Sequence, residues 1–128
     1  MIKVEIKQHN SNIVGFVMNG HALSDDRDFS NEGALVGEAF DLICNSVSVL
    51  SQSVIIGLDE VLKLNSTYEI KDGYLKLDLQ DFNEEELEQA QVLLKTFEKS
   101  LESVVLGFDE LVGKKKRKEY ISLIKEEV

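Results

Sequence analysis

The first twenty residues alternate between apolar and polar side chains. The apolar positions of MIKVEIK fall on one face, at Ile2, Val4 and Ile6. Alternation with a period of two is typical of a half-buried strand. After the turn-prone sequence HNSN, the segment IVGFVMNG predicts a second strand that ends at Gly20. The apolar residues expected on one face of this strand are Val14, Phe16 and Met18.

A helix is predicted after a polar segment. Residues 22–33, ALSDDRDFSNEG, are acidic and turn-prone, so we expect an exposed loop there. The spacing of apolar residues then changes to threes and fours, which indicates a helix. Its apolar positions are Val36, Phe40, Ile43, Val47, Leu50 and Val54. Gly57 is expected to weaken or end it.

The segment STYEIKDGYLKLDLQ predicts a β-hairpin around Asp72-Gly73. This dipeptide is a favoured two-residue turn, in which both central positions are expected to have positive φ. The facing pairs in this register are Ile70 with Leu75, Tyr68 with Leu77, and Glu69 with Lys76. Apolar pairs share one face and the charged pair lies on the other, so the register is self-consistent.

A second helix is predicted to begin near Asn83. The Asn83 side chain and Glu86, three residues later, have the spacing of a capping box. Apolar residues then follow at intervals of three and four, at Leu87, Ala90, Leu94, Phe97, Leu101, Val104, Phe108 and Leu111. Packing of this stripe on a sheet is the expected use, and a coiled coil is the alternative. The tail EYISLIKEEV is predicted to be a strand.

An internal repeat supports this order of elements. SVIIGLDEVL at 53–62 matches SVVLGFDELV at 103–112, and each segment ends a helix that follows two strands. We therefore predict a single α+β domain over residues 1–128, in the order ββα-ββα-β. Its sheet is expected to be largely antiparallel, with two helices packed on one face.

Charge narrows the range of partners. The 128 residues include 14 basic and 24 acidic side chains, so the formal net charge is −10. Such a chain repels nucleic acid as a whole and favours a basic partner. The run KKKRK at 114–118 is the exception. We expect it to be a solvated connector after a helix, with a nucleic-acid contact as the less favoured alternative.

Cysteine content and apolar runs narrow the cellular setting. The single cysteine excludes an internal disulfide and is typical of a cytoplasmic protein. One cysteine and two histidines do not fill a structural zinc site, so we expect no metal and no cofactor. No unbroken apolar run approaches the roughly 20 residues that span a bilayer. MIKVEIK also lacks the features of a signal peptide, and no membrane association is expected.

Cys44 is the candidate nucleophile. The core stripe of its helix runs through Ile43 and Val47, so Cys44 falls on the flank of that stripe. Asp41, three residues before it, and Ser48, four residues after it, share its side of the helix. If the helix begins close to Asp41, its dipole and free N–H groups would favour a thiolate and hold an oxyanion.

A histidine at a strand end is the candidate base. His21 follows the second predicted strand, whereas His9 lies in the HNSN turn and is a poorer partner for the thiol. From the residues alone, two interpretations stay open: a Cys–His dyad, and a structural cysteine with a surface histidine.

Two motifs resemble those of the ribosomal-processing cysteine protease family. They are GHA at 20–22 and DLICNSVSVLSQSVIIGL at 41–58. In that family Gly-His-Ala ends the second strand. A helix then carries Asp, two aliphatic residues, Cys, two small residues, an aliphatic residue and Ser. The ββα-ββα-β order agrees as well, so the resemblance covers nearly the whole chain.

The resemblance implies a cytoplasmic cysteine endopeptidase, usually a homodimer. Its substrate would be the large-subunit ribosomal protein closest to the peptidyl-transferase centre, from which it removes a short N-terminal extension. By motif, Cys44 would be the nucleophile, His21 the general base, and Asp41 and Ser48 supporting residues. A basic substrate fits the net charge of −10. The alternative is a non-catalytic, ribosome-associated binding module of the same fold.

Two features depart from the pattern of that family. The segment between His21 and Cys44 is longer than the usual one, and Asn45 and Ser46 stand where residues are usually smaller and apolar. Insertions in loops cost little stability, so we expect both features to bear on the choice of peptide more than on catalysis.

Overall fold

The computed structural model describes residues 1–20 and 31–128, with side-chain surroundings in the first helix from residue 42 onward. The predicted loop over 22–33 lies outside the described residues up to residue 30, as do the surroundings of Val36 and Phe40. Its last three residues, 31–33, are helical, so the prediction is wrong there. The elements are β1 (Ile2–His9), β2 (Asn12–Asn19), α1 (Asn31–Ile56), β3 (Thr67–Lys71), β4 (Tyr74–Asp78), α2 (Glu84–Val112), α3 (Lys114–Arg117) and β5 (Ile121–Glu127).

Five strands of the described residues form one sheet in the order β3-β4-β2-β1-β5. Neighbouring strands are antiparallel except β1 and β5, which run parallel. Both long helices contribute buried side chains to one core against this sheet. The α+β class, the predicted order of strands and long helices, and the strand in the tail are confirmed.

The packing of α1 against α2 explains Gly57. The α-helix ends at Ile56, as predicted, but the chain continues as a π-helical turn over Gly57–Val61. A Cβ on Gly57 would lie 2.7 Å from Cδ1 of Leu93 on α2. A side chain at this position would force the Leu93 side chain to move, so glycine suits the close approach of the two helices.

The predicted inward face of β2 is wrong at Val14. Lys7 of β1 pairs with Gly15, but the next residue, Gln8, pairs with Ile13, so Val14 is the extra residue of a β-bulge. Ile13 is buried, while Val14 is only partly buried. A bulge shifts the alternation by one residue, which moves Ile13 to the core face.

The hairpin has the predicted register. All three predicted pairs are present, and Lys71 pairs with Tyr74 across the Asp72-Gly73 turn. Of the two turn residues, Gly73 has positive φ, at 69°, and Asp72 does not, so the prediction of positive φ at Asp72 is wrong. β3 is an edge strand, and its apolar residues Tyr68 and Ile70 are 47% and 56% exposed.

The start of α2 is as predicted. Asn83 Oδ1 accepts a hydrogen bond from the Glu86 N–H at 2.8 Å, and Glu86 Oε1 accepts one from the Asn83 N–H at 3.1 Å. The apolar stripe packs into the core, with Ala90, Leu94, Phe97, Leu101 and Phe108 buried. Leu111, at its end, is 65% exposed and lies outside the core.

One helical segment, Leu42–Val61, is long and apolar enough to cross a membrane by length and composition, although polar residues interrupt it. It covers the end of α1 and the π-helical turn that follows. The core helix of a soluble protein meets the same criterion. Here Ile43, Val47 and Val54 are buried in the core, so the segment is weak support for a membrane span.

Candidate active site

Cys44 lies on the flank of the buried stripe of α1, as predicted. Its neighbours Ile43 and Val47 are fully buried, whereas Cys44 is half-buried and packs against the edge of the core. Core residues therefore hold the Cys44 side chain on one side, and its other side is open to solvent.

Cys44 opens into a cavity of about 310 Å³ at the end of the sheet where β1 begins and β2 ends. One wall belongs to α1 and is formed by Cys44, Asn45, Ser48 and Gln52. The other wall is the turn of the β3–β4 hairpin, from Ile70 to Leu75. Ile2, Met18 and Gly20 complete the lining. We call this cavity the thiol groove.

Gly20 joins the strand end to the hairpin wall. Its N–H donates a hydrogen bond to the carbonyl oxygen of Gly73 at 2.8 Å. Its φ is 98°, and a Cβ there would lie 2.1 Å from the carbonyl oxygen of Met1. Only glycine fits this conformation and contact without a backbone shift. This conformation and contact explain why the GHA motif has a glycine at this position, which borders the groove.

The polar wall of α1 is ordered by a short hydrogen-bonded pair. Gln52 Nε2 donates to Ser48 Oγ at 2.9 Å, and both residues line the thiol groove with Cys44. The prediction that Ser48 shares the side of Cys44 is confirmed. Gln52 was missed, although its spacing of eight residues from Cys44 indicates the same face.

The two residues that depart from the family pattern differ in position. Asn45 is exposed and lines the thiol groove. Ser46 is not among the lining residues, and its hydroxyl donates to the Leu42 carbonyl at 2.9 Å along the helix. Of the two, Asn45 is the one positioned to contact a bound peptide.

The expected activation of Cys44 by a helix start is wrong. α1 begins at Asn31, thirteen residues before Cys44. The helix dipole acts mainly within the first turn, and only the first four N–H groups of a helix lack intrahelical partners. Neither a favourable dipole nor free N–H groups are therefore available to the Cys44 thiolate from this source.

The predicted partners of Cys44 are outside this description. His21 lies outside the described residues, and Asp41 belongs to α1 but its side-chain surroundings are also outside them. The dyad and the supporting role of Asp41 stay predictions. His9 is described: it lies at the far end of β1, where its Nδ1 is 2.8 Å from the Val128 carbonyl oxygen.

The mouth of the thiol groove carries charges of both signs. Lys71 and Asp72 line it from the hairpin. Glu69 Oε1 lies 2.8 Å from Lys71 Nζ, and this hydrogen bond raises the pKa of the Lys71 amine above its usual value. Among the side chains that are described, those of residues 1–20 and 42–128, no group of three or more His, Cys, Asp or Glu could hold a metal ion.

Solved structures share this fold over the full length of the chain. A protein from Streptococcus mutans has a TM-score of 0.69 at 19% identity, covering 100% of this chain and 96% of that one. The essential ribosomal processing protease Prp of S. aureus, bound to a substrate peptide, has a TM-score of 0.68 at 17% identity, covering 98% and 100%. The same protease with a covalently linked product peptide has a TM-score of 0.66 at 19% identity, with the same coverage.

Sequence comparison gives the family. No curated protein sequence matches the chain. The sequence profile described as cysteine protease Prp matches residues 1–113, which include the thiol groove and both motifs. The chain therefore belongs to the cysteine protease Prp family and is a cysteine protease.

Proposed function

We propose that Cys44 and His21 form the catalytic dyad of this protease. The observation that carries the proposal is that Cys44 and Gly20 line one groove, and His21 is covalently bonded to Gly20. His9 is seven residues along β1 from Ile2, about 23 Å at 3.3 Å per residue. It is too far from the groove to act as the base.

The dyad would cleave a peptide bond in two steps. His21 takes the proton of the Cys44 thiol, and the thiolate attacks the scissile carbonyl carbon. His21 then donates that proton to the leaving amine as the C–N bond breaks, which leaves a thioester on Cys44. Water, deprotonated by His21, hydrolyses the thioester and regenerates the thiol.

The oxyanion of the tetrahedral intermediate needs donors other than the N–H groups of α1. The side chain of Asn45 lines the groove one residue after Cys44, and its amide has two donor hydrogens. We assign oxyanion stabilisation to Asn45 and a positioning role to Ser48, which is held by Gln52. Asp41 is proposed as a further supporting residue on the same side of α1.

The proposed substrate is the N-terminal extension of a large-subunit ribosomal protein. The S. aureus relative is a ribosomal processing protease and has been solved with substrate and product peptides. A net charge of −10 favours a basic substrate of this kind. This substrate implies action in the cytoplasm, a reducing setting in which the thiol of Cys44 stays available.

Cleavage of a defined peptide tests the proposal. The peptide spans the extension and the first residues of the mature ribosomal protein, and mass spectrometry identifies its products. Cys44→Ala and His21→Ala should each abolish cleavage, and Ser48→Ala should reduce it. Ser46→Ala is the matched control, because Ser46 lies on the same helix outside the groove. A wild-type protein that binds the peptide without cleaving it would instead indicate the non-catalytic binding module.

We also propose that the protein is a homodimer through the outer face of α1. Leu42, Val49 and Ile56 are 56%, 66% and 49% exposed, and their spacing of seven puts them on one face. Multi-angle light scattering should give a dimer for the wild type and a monomer for Val49→Asp. Val92→Asp, at a 72% exposed valine of α2, is the control and should stay dimeric. A monomeric wild-type protein would refute the proposal.

A further inference from the structure

A basic turn follows α2 directly. It comprises Lys114–Lys118, and we call it the basic turn. Its four lysines are exposed, and none makes an ion pair or side-chain hydrogen bond with a described residue. Within the turn, the Lys118 N–H donates to the Lys114 carbonyl at 3.3 Å, so the backbone is helical. The family profile ends at residue 113, immediately before this turn.

The basic turn is anchored to the fold rather than loosely attached. Arg117 Nε donates to Asp109 Oδ1 at 2.7 Å, and its side chain is only 11% exposed. Tyr120 is buried and contacts Phe108 edge-to-face, with ring centroids 6.4 Å apart. Because Arg117 and Tyr120 hold the turn to α2, the lysines are presented at a fixed place on the surface.

That place is the same end of the sheet as the thiol groove. Met1, Arg117 and Lys118 line a shallow cleft of about 370 Å³ together with the start of β5. The Ile2 N–H donates to the Tyr120 carbonyl at 2.8 Å, and Ile2 itself lines the thiol groove. The start of β1 therefore separates the two features, with the basic turn on one side and the groove on the other.

We propose that the basic turn binds the phosphate backbone of RNA and thereby orients the protease on a ribosomal precursor. The inference rests on the proposed ribosomal-protein substrate. The five residues of the turn carry +5 in a chain of net charge −10, so the rest of the chain carries −15. That remainder repels RNA as a whole, whereas the basic turn attracts it at the end that holds the thiol groove.

RNA fits this turn better than an acidic protein does. Lysines are point charges on flexible stems, which suit phosphates spaced along a backbone better than a planar carboxylate fork. Lys114, Lys115 and Lys116 extend around a single helical turn outside the cleft that Lys118 lines. Glu119 is the only acidic residue adjoining them in sequence, so most of the local positive charge remains for a partner.

Fluorescence anisotropy with a labelled single-stranded RNA tests the proposal. A probe of about 20 nucleotides exceeds a typical single-strand site of about 4–16. Four phosphate contacts predict that log K falls with log[KCl] with a slope of about −3 between about 50 and 200 mM. Replacing Lys114, Lys115, Lys116 and Lys118 together by Gln should weaken binding at least about tenfold at the lower salt and flatten the slope.

A charge-matched control separates the turn from the total charge. Replacing Lys7, Lys63, Lys76 and Lys95 by Gln gives the same formal net charge of −14 at sites remote in sequence from the turn. Its affinity for RNA should stay within about twofold of the wild-type affinity. Any general repulsion from the added negative charge is the same in both variants. Equal losses in the two variants would overturn the proposal, as would no RNA binding by the wild type at about 50 mM KCl.

Peptide cleavage separates this inference from the proposed function, and vesicle binding separates RNA from a lipid surface. The basic-turn variant should cleave the free substrate peptide at the wild-type rate, because the turn lies outside the thiol groove. If the wild type binds RNA through the turn but cleaves no peptide, the proposed function fails while RNA binding by the turn is supported. Binding to vesicles of phosphatidylglycerol and phosphatidylcholine as tight as to RNA would overturn the assignment to RNA.

Discussion

Replacing Gly20 by alanine perturbs the junction between β2, the hairpin turn and His21. The new Cβ would lie 2.1 Å from the Met1 carbonyl oxygen, which is backbone and cannot rotate away. A side chain at φ 98° adds strain of about 1–2 kcal/mol. A backbone shift would also weaken the 2.8 Å hydrogen bond from the Gly20 N–H to Gly73, worth about 1 kcal/mol. Together these effects predict a loss of about 2–4 kcal/mol in the free energy of unfolding.

Urea unfolding measures this loss, and a second glycine supplies the control. With an m-value of about 1–3 kcal/mol/M, the Gly20→Ala midpoint should fall by about 1–2 M. Gly107 lies within α2 and has no atom within 4 Å of the position its Cβ would take. Gly107→Ala should therefore raise the free energy of unfolding by about 0.5–1 kcal/mol, since alanine is the better helix former.

The same variant separates stability from activity. After a loss of this size the protein should remain mostly folded at 25 °C, given a typical stability of about 5–15 kcal/mol. Peptide cleavage that falls much further than the folded fraction would then indicate a displaced His21. The reasoning is refuted if Gly20→Ala unfolds within about 0.3 M urea of the wild type, or if both glycine variants lose stability equally.

Two further predictions concern the thiol and an ion pair. Iodoacetamide should alkylate Cys44 at lower pH in the wild type than in His21→Ala, because a protonated imidazole stabilises the thiolate; equal pH profiles would contradict the dyad. The buried Glu98 carboxylate hydrogen-bonds Lys125 and raises the pKa of that amine above its usual 10.5. The pair therefore stabilises the fold fully below pH 10.5 and less as the pH rises through the folded-state pKa. Lys125→Met should lower the free energy of unfolding by about 1 kcal/mol at pH 7, a value discounted because Lys125 is 45% exposed. The difference from the wild type should shrink above pH 10.5. A difference that stays constant through that pH range would contradict the prediction.

Local signals predicted the hairpin and the helix cap to the residue. The Asp72-Gly73 turn fixes the loop length, and only one register then puts Tyr68 opposite Leu77 and the charged pair on the other face. The capping box needs only residues three apart. Alternation also predicted which face Tyr68 and Ile70 share, but it could not predict that both residues are exposed on an edge strand.

Features that depend on backbone irregularity or on distant residues were not predictable in this way. The bulge at Val14 changes which residues face the core, and nothing in the pattern of apolar and polar residues indicates where it lies. The α1 wall of the thiol groove follows from helical spacing, which predicted that Ser48 shares the side of Cys44. The opposite wall, Ile70 to Leu75, comes from a hairpin about thirty residues later, and only the tertiary fold brings it to Cys44.

The position of Cys44 within α1 changes which group must activate the thiol. A thiolate at a helix start would be stabilised by backbone dipoles even without a base. Thirteen residues into α1, that stabilisation is lost, so a proposed Cys44 nucleophile depends on His21 for its charge. His21 is attached to Gly20, which is held by the Gly73 carbonyl and packs against Met1. The hairpin turn therefore has two roles, since it forms one wall of the groove and fixes Gly20, to which the proposed base His21 is bonded.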